Sequence, residues 1–169
     1  MAIKPKIEKA LNNQVNAELS AFYSYLSMSL YFESRYMPGA ALWFKTQSDE
    51  EFNHAMKLNT HIIARGGKVI LTAIDAPTTE WKSFLSVFEE AYAQELKVST
   101  LINDLMSLAK KEHDYATEIM LQWFVTEQVE EEDTAKSNVE KFKLIKNAVE
   151  GILVFDHELG QRKTETLSK

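Results

Sequence analysis

The chain has 169 residues, 45% apolar and 26% charged, with 5 Gly, 3 Pro, a formal charge of −6 and an isoelectric point near 5.3. So few backbone breakers predict long helices, and the acidic balance suits cationic partners while arguing against nucleic acid, whose phosphates need clustered Lys and Arg. With no cysteine, disulfides, thiolate metal sites and Cys nucleophiles are excluded.

Apolar residues recur at helical spacing in four long blocks and one short one. The first helix is predicted over about 6–33, with Pro5 at a tolerated first-turn position. The turn "SRYMPG" leads into a second helix over about 38–65, which ends at "RGGK", where Gly66 or Gly67 can take a left-handed cap. A stretch of about fourteen residues follows, "KVILTAIDAPTTEW", without helical period. A third helix is predicted over about 80–110, with Thr78 or Thr79 as N-cap, and a fourth over about 114–145. A fifth, short helix covers about 148–160, ending at Gly160. Short links make the first and second helices, and the third and fourth, antiparallel hairpins. The long middle link can cross the bundle end to end. The expected fold is therefore all-α, a four-helix bundle with one long crossover and a short C-terminal fifth helix, with residues 1–169 forming a single domain. The start, "MAIKPKIEKALNNQ", has no apolar run of the signal-peptide kind. No segment reaches 18 consecutive apolar residues, so a cytoplasmic protein without membrane contact is expected.

The inward stripe of each long helix carries one glutamate about halfway along. The first reads Ile7, Leu11, Gln14, Glu18, Phe22, Tyr25, Ser29, Phe32, and the second Ala40, Phe44, Gln47, Glu51, His54, Leu58, Ile62. The third reads Phe84, Phe88, Ala91, Glu95, Val98, Ile102, Leu105, and the fourth Met120, Phe124, Gln128, Glu131, Thr134, Asn138, Phe142. At matching depth Glu18, Glu51, Glu95 and Glu131 would meet in the middle of the bundle. A glutamate on a helix is usually a solvated face residue, but here the same coincidence recurs on all four helices. Two carboxylates about 6 Å apart repel by roughly 3 kcal/mol at an effective dielectric near 20, and each is penalised for leaving water. A structural cluster would need buried Lys or Arg partners, whereas Lys45, Lys57, Lys97 and Lys136 point elsewhere by helical phase. Two divalent cations supply the counter-charge.

Glu51 heads an i, i+3 pair with His54, which can bind one metal as a neutral imidazole. The corresponding place after Glu131 holds Thr134, a poor ligand, as in a duplicated hairpin that lacks its second histidine. One metal would have His54 and the other only oxygen ligands, including the Gln128 amide, which predicts a tight site and a looser one. Helix-borne Glu with Glu-x-x-His is the known ligand pattern of di-iron carboxylate bundles. Carboxylate and imidazole ligands alone suit Fe(II), Mn(II) and Zn(II) alike.

The segments "NNQVNAELSAFYSYLSMS", "DEEFNHA", "MLQWFVTEQVEEE" and the crossover's "IDAP" resemble the non-haem bacterial-type ferritins, over essentially the whole chain. That resemblance implies a ferroxidase without haem. Two Fe(II) bound in the bundle would be oxidised by O2 or H2O2 and stored as ferric mineral in a hollow homo-oligomer of 24 subunits. It casts Glu18, Glu51 and His54 as ligands of the first iron, with Glu51 bridging to a second held by Glu95 and Glu131, Gln128 close by. Tyr25 resembles the family's tyrosine beside the di-iron centre. Glu50, Glu127 and Glu130, sharing Glu131, resemble a third iron site; as bare sequence they read equally well as a solvated acidic face. Trp123 is expected to pack, and His61, His113 and His157 fall outside the central cluster. Bacterioferritin, the haem-carrying cousin, would have a methionine after Glu51 and a second Glu-x-x-His; Phe52 and Thr134 stand there. A DNA-protecting mini-ferritin would lack the fifth helix and place its iron ligands between subunits.

Overall fold

The computed structural model describes residues 2–146 and 148–162. Its five helices are α1 (Pro5–Glu33), α2 (Pro38–Ala64), α3 (Phe84–Lys111), α4 (Tyr115–Ile145) and α5 (Val149–Leu159), and no strand occurs among the described residues. α1 to α4 form the four-helix bundle and α5 packs on its end. Pro5 and Pro38 sit in the first turns of α1 and α2, where a missing N–H costs nothing. Gly66, with φ +75°, follows α2 in the left-handed conformation that a helix stop favours. Asp114 caps α4 through the Thr117 N–H at 3.1 Å.

The third helix starts later than the sequence pattern suggests. Its N-cap is Ser83, not Thr78 or Thr79, and Ser83 and Ser86 cap each other's backbone N–H reciprocally. The residues before it serve the crossover instead. Asn12 Nδ2 donates to the Lys68 carbonyl at 2.9 Å, and Asn12 Oδ1 accepts from the Ile70 N–H at 2.6 Å. Ser27 Oγ donates to the Thr78 carbonyl at 2.6 Å, and the Trp81 ring meets the Tyr31 ring edge-on at 4.8 Å. The link thus runs alongside α1 from its start to its end, delivering α3 antiparallel to α1.

Two apolar cores result, one toward each end of the bundle. One is largely aromatic: Phe32 stacks on Phe44 with ring centroids 5.3 Å apart, Phe88 meets Phe44 at 5.2 Å, and Phe142 and Phe155 close the group. The other is mostly aliphatic, built from residues such as Ile7, Leu11, Leu58, Ile62, Ile102 and Leu121 around Phe124. On α4 the buried series is Leu121, Phe124, Gln128, Glu131, Ala135, Asn138, Val139 and Phe142. Thr134 is exposed, because the stripe steps by four after Glu131, to Ala135. The expected equivalence of Thr134 with His54 therefore fails in space. Phe22, Phe84 and Met120 are half-buried rather than central.

α5 is pinned to the start of α2. The Asp156 carboxylate accepts from the backbone N–H groups of Gly39 at 3.2 Å and Ala40 at 2.7 Å, satisfying donors left unpaired in the first turn of a helix. The approach requires glycine, since a Cβ on Gly39 would lie 1.7 Å from the Asp156 carbonyl oxygen. No described helix is long and apolar enough to cross a membrane.

Candidate metal centre

Between the two apolar cores lies a layer of polar side chains in which Glu18, Glu51, His54, Glu95, Gln128 and Glu131 are all buried. α1 supplies Glu18, α2 supplies Glu51 and His54, α3 supplies Glu95, and α4 supplies Gln128 and Glu131. Each stands on the same helical stripe as the leucines and phenylalanines that pack above and below it. The depth of each carboxylate is thus set by the periodicity of its helix.

Glu18, Glu51 and His54 present one ligand atom each within 4.8 Å of one another. Gln14 Nε2 donates to Glu18 Oε1 at 2.8 Å, but the buried Glu18 Oε2 and Glu51 Oε2 find no partner beyond the carboxyl–carboxyl contact between Glu18 and Glu51 themselves. His54 Nδ1 lies 3.5 Å from Glu51 Oε2, too long for a good hydrogen bond. Ionising such a pair in a dry interior without a counter-charge costs several kcal/mol. A cation is what such a pair lacks, and hard oxygen donors with one imidazole fit a divalent transition metal.

The α3–α4 side is differently finished. The Tyr25 hydroxyl donates to Glu95 Oε1. Gln128 Nε2 lies 3.2 Å from Glu95 Oε2, 3.3 Å from the Glu95 carbonyl and 3.2 Å from Ser99 Oγ. Gln47 Nε2 donates across the bundle to Glu131 Oε2 at 2.8 Å. Here the carboxylates have protein partners, and the Gln128 amide acts as donor through its nitrogen, leaving its oxygen as the atom suited to a metal.

Burial, reinforced at Glu18, Glu51 and Glu131 by neighbouring carboxylates, shows in the ionisation of the layer. Burial, then the Glu51 charge, holds the Glu18 carboxyl well above the usual range, and burial, then the Glu95 charge, does the same to Glu51. Burial raises Glu95 against the opposing hydrogen bonds from Tyr25 and Gln128. Glu131 is pushed up to about 7 by burial and by Glu95 and Glu50, with Gln47 and Arg162 pulling the other way. Burial and the Glu95 carboxylate also raise the Tyr25 phenol, so Tyr25 stands as a proton-bearing donor to Glu95. The metal-free layer therefore retains protons that cations would displace.

Of the outlying candidates, Glu50 and Glu127 are half-buried and line one cavity of about 320 Å³ with His54, Met56, Lys57 and Trp123. Glu130 is exposed. Trp123 packs edge-on against His54 at 5.3 Å, with the Lys57 ammonium 3.8 Å over its ring. His61 lies outside the layer, its Nε2 3.1 Å from Thr117 Oγ1; His113 and His157 are exposed. Lys45, Lys57, Lys97 and Lys136 are exposed, as helical phase requires. One cation does reach the layer's edge: Arg162, beyond α5, donates to Gln47 Oε1 and to Glu50 Oε2, the latter at 2.7 Å. No helical period could have announced it. Gln14 could have been read as a partner, since it stands four residues before Glu18, whereas Gln47 donates not to Glu51 four residues on but across the bundle to Glu131.

The ferritin-like domain of the Ferritin family matches residues 8–145. The chain is 44% identical over 160 residues to a bacterial non-heme ferritin of Bacteroides fragilis, spanning 95% of this chain and 99% of that one. A bacterial non-heme ferritin of Staphylococcus haemolyticus is 35% identical over 154 residues, spanning 91% and 93%. Among solved structures, an open pore ferritin from the hyperthermophilic archaeon Archaeoglobus fulgidus superposes with a TM-score of 0.94 at 43% identity, covering 96% of this chain and 100% of that one. A closed form of the Archaeoglobus fulgidus ferritin, engineered by site-directed mutagenesis, gives the same TM-score and identity.

Proposed function

We propose an iron-storage function for this chain, which belongs to the ferritin family, with a ferroxidase centre in the polar layer of its bundle. Fe(II) is the substrate. Glu18, Glu51 and His54 hold one ion, Glu95 and Glu131 hold the other with the Gln128 amide oxygen, and Glu51 spans the two. Each Fe(II) gives up one electron, and the pair goes to O2 or H2O2; a two-electron acceptor is the reason to hold two ions side by side. The product, Fe(III), is a harder and more highly charged cation. It leaves for a ferric oxyhydroxide mineral in the cavity of a 24-subunit homo-oligomer of cytoplasmic location, each subunit one ferritin-like unit over residues 1–169. No haem is required.

The orphaned oxygens of Glu18 and Glu51, beside His54 in a dry interior, carry this reading. The protein's own part in the chemistry is electrostatic. Protons that burial favours on these carboxyls give way as two divalent ions enter, so the ions take over the charge compensation of the layer. Tyr25 donates to Glu95, fixing the orientation of that carboxylate and standing within reach of an electron or proton transfer. The two apolar cores keep bulk water out of the layer from either end.

Aerobic addition of Fe(II) to metal-free protein tests the reading. Amber ferric absorbance that stays in solution is expected, together with a size-exclusion mass of about 24 subunits. Precipitating rust at the rate of protein-free buffer would refute it.

A further inference from the structure

At the end of the bundle remote from α5, the C-terminus of α2 grips the start of α4 through polar side chains. Arg65, which caps α2, pairs with Asp114, the N-cap of α4, and their side chains are 10% and 3% exposed. Arg65 Nη1 also donates to Thr117 Oγ1 at 2.8 Å, and Nη2 donates to the Ala2 carbonyl at 3.4 Å. The Ile3 N–H donates to the Arg65 carbonyl at 3.1 Å, so the N-terminal segment is held at the same junction. His61, half-buried one turn before Arg65, places Nε2 3.1 Å from Thr117 Oγ1. The Thr117 hydroxyl accepts from Arg65 and has one proton of its own to give. Asp114 Oδ1 is already engaged by Arg65 and by the Thr117 N–H, and the bare Nε2 of a neutral His61 takes that proton.

We propose that His61 makes this α2–α4 latch acid-sensitive: its protonation below neutrality loosens the start of α4, a change independent of the polar layer. As an imidazolium, His61 carries a proton on Nε2 and no longer accepts from Thr117. A second cation then stands one helical turn from the Arg65 guanidinium. The charged surroundings are mixed. On α2, Lys57 and Arg65 lie one turn to either side of His61, and on α4, Asp114 and Glu118 bracket Thr117. His113 precedes Asp114, its ring 6.3 Å from that of Tyr115, while Lys4 and Lys6 are taken up by Glu112. The C-terminus of α2 favours a cation at His61, and the N-terminus of α4 disfavours one. Burial, then Arg65, outweighs Asp114 and holds His61 below the usual histidine range in the closed latch. An opened latch returns the ring to water and to its ordinary value near 6.5. The preference for the closed form is therefore fully present above about pH 6.5 and is lost as the pH falls through the lower, closed-state value.

Amide hydrogen exchange of the assembled, metal-free protein, corrected for the intrinsic pH dependence of exchange, decides the matter. Between pH 7.5 and pH 5.5, opening at residues 114–118 of wild type should rise by up to about fivefold, the scale of one partly exposed charge contact. Residues 28–32 of α1, in the aromatic core, should hold steady. His61→Gln, which takes up no proton, should make exchange at 114–118 independent of pH. His61→Lys, charged throughout, should be open already at pH 7.5; if that variant does not assemble, the comparison of wild type with His61→Gln decides alone. His113→Gln should keep the wild-type response. Exchange at 114–118 that ignores pH in wild type, or an acid response that survives His61→Gln, would overturn the proposal and leave His61 as a packing residue. A response abolished by His113→Gln would overturn it too, by moving the switch to the α3–α4 turn.

Discussion

The two hairpins contribute to one polar layer but finish their halves differently. On the α1–α2 side, Glu18 and Glu51 each keep a buried oxygen with no partner but the other carboxyl, beside His54. On the α3–α4 side, Glu95 and Glu131 are held by Tyr25, Gln128 and Gln47. On the proposed dinuclear reading, the first half is an incomplete site that a metal would complete, whereas the second has protein donors that a metal would have to replace. On that reading, an ion entering the first half replaces only the contact of two mutually repelling carboxyls. One entering the second must first release hydrogen bonds. The unequal affinity expected of the two proposed positions would thus have a cause in the partners as well as in the single histidine.

The largest effect should come from the open half. Glu18→Ala or His54→Ala is expected to slow Fe(II) oxidation by more than about 100-fold, beyond the range for partners that only support a ligand, with the size-exclusion mass unchanged. Loss of assembly together with oxidation would mean that these residues shape the bundle rather than its chemistry. Gln128→Ala and Tyr25→Phe act on the finished half and should cost about 10- to 100-fold in affinity or rate, read from single-turnover oxidation. An effect as large as that of Glu18→Ala would erase the distinction between the halves.

The metal-free protein offers a subtler contrast. Glu131 titrates at about 7 when folded, against about 4.3 for an unperturbed glutamate. Between these values the folded chain binds a proton that the unfolded chain has released. The stabilising contribution is fully present below about pH 4.3 and is lost as the pH rises through 7. Urea midpoints should therefore fall from pH 5 to pH 8 in wild type more steeply than in Glu131→Gln, by up to roughly 3 kcal/mol in the difference. Parallel curves would mean that Glu131 carries no retained proton. The smallest effect is expected at Glu130, exposed on α4. Glu130→Ala should change the number of irons bound or the steady turnover more than the initial rate. An equal loss of initial rate would argue against a separate third position.

Much of this layer was legible in the sequence because one physical rule governs it. A glutamate on the same three- and four-residue stripe as Leu11, Phe44 or Ile102 is buried wherever those are buried, and four such stripes converge. The rule drifts where the stripe chooses between three and four, which is why Thr134 reads as inward and Ala135 is the residue actually buried. The start of α3 was obscured for another reason: Thr78, Thr79 and Trp81 look like the opening of a helix, yet Thr78 and Trp81 are engaged by α1. The hydrogen-bond partners within the layer depend on side chains meeting across helices. Arg162 depends on how α5 folds back onto α2, and no local pattern carries that information.

The central claim is that the buried carboxylates are neutralised by paired metal ions, and crystals soaked anaerobically in Fe(II) test it most directly. Anomalous difference maps at the iron edge should show two peaks inside the bundle, one touching Glu18, Glu51 and His54 and the other Glu51, Glu95 and Glu131. A layer without iron, its glutamates protonated or contacted only by protein donors and solvent, would contradict the account.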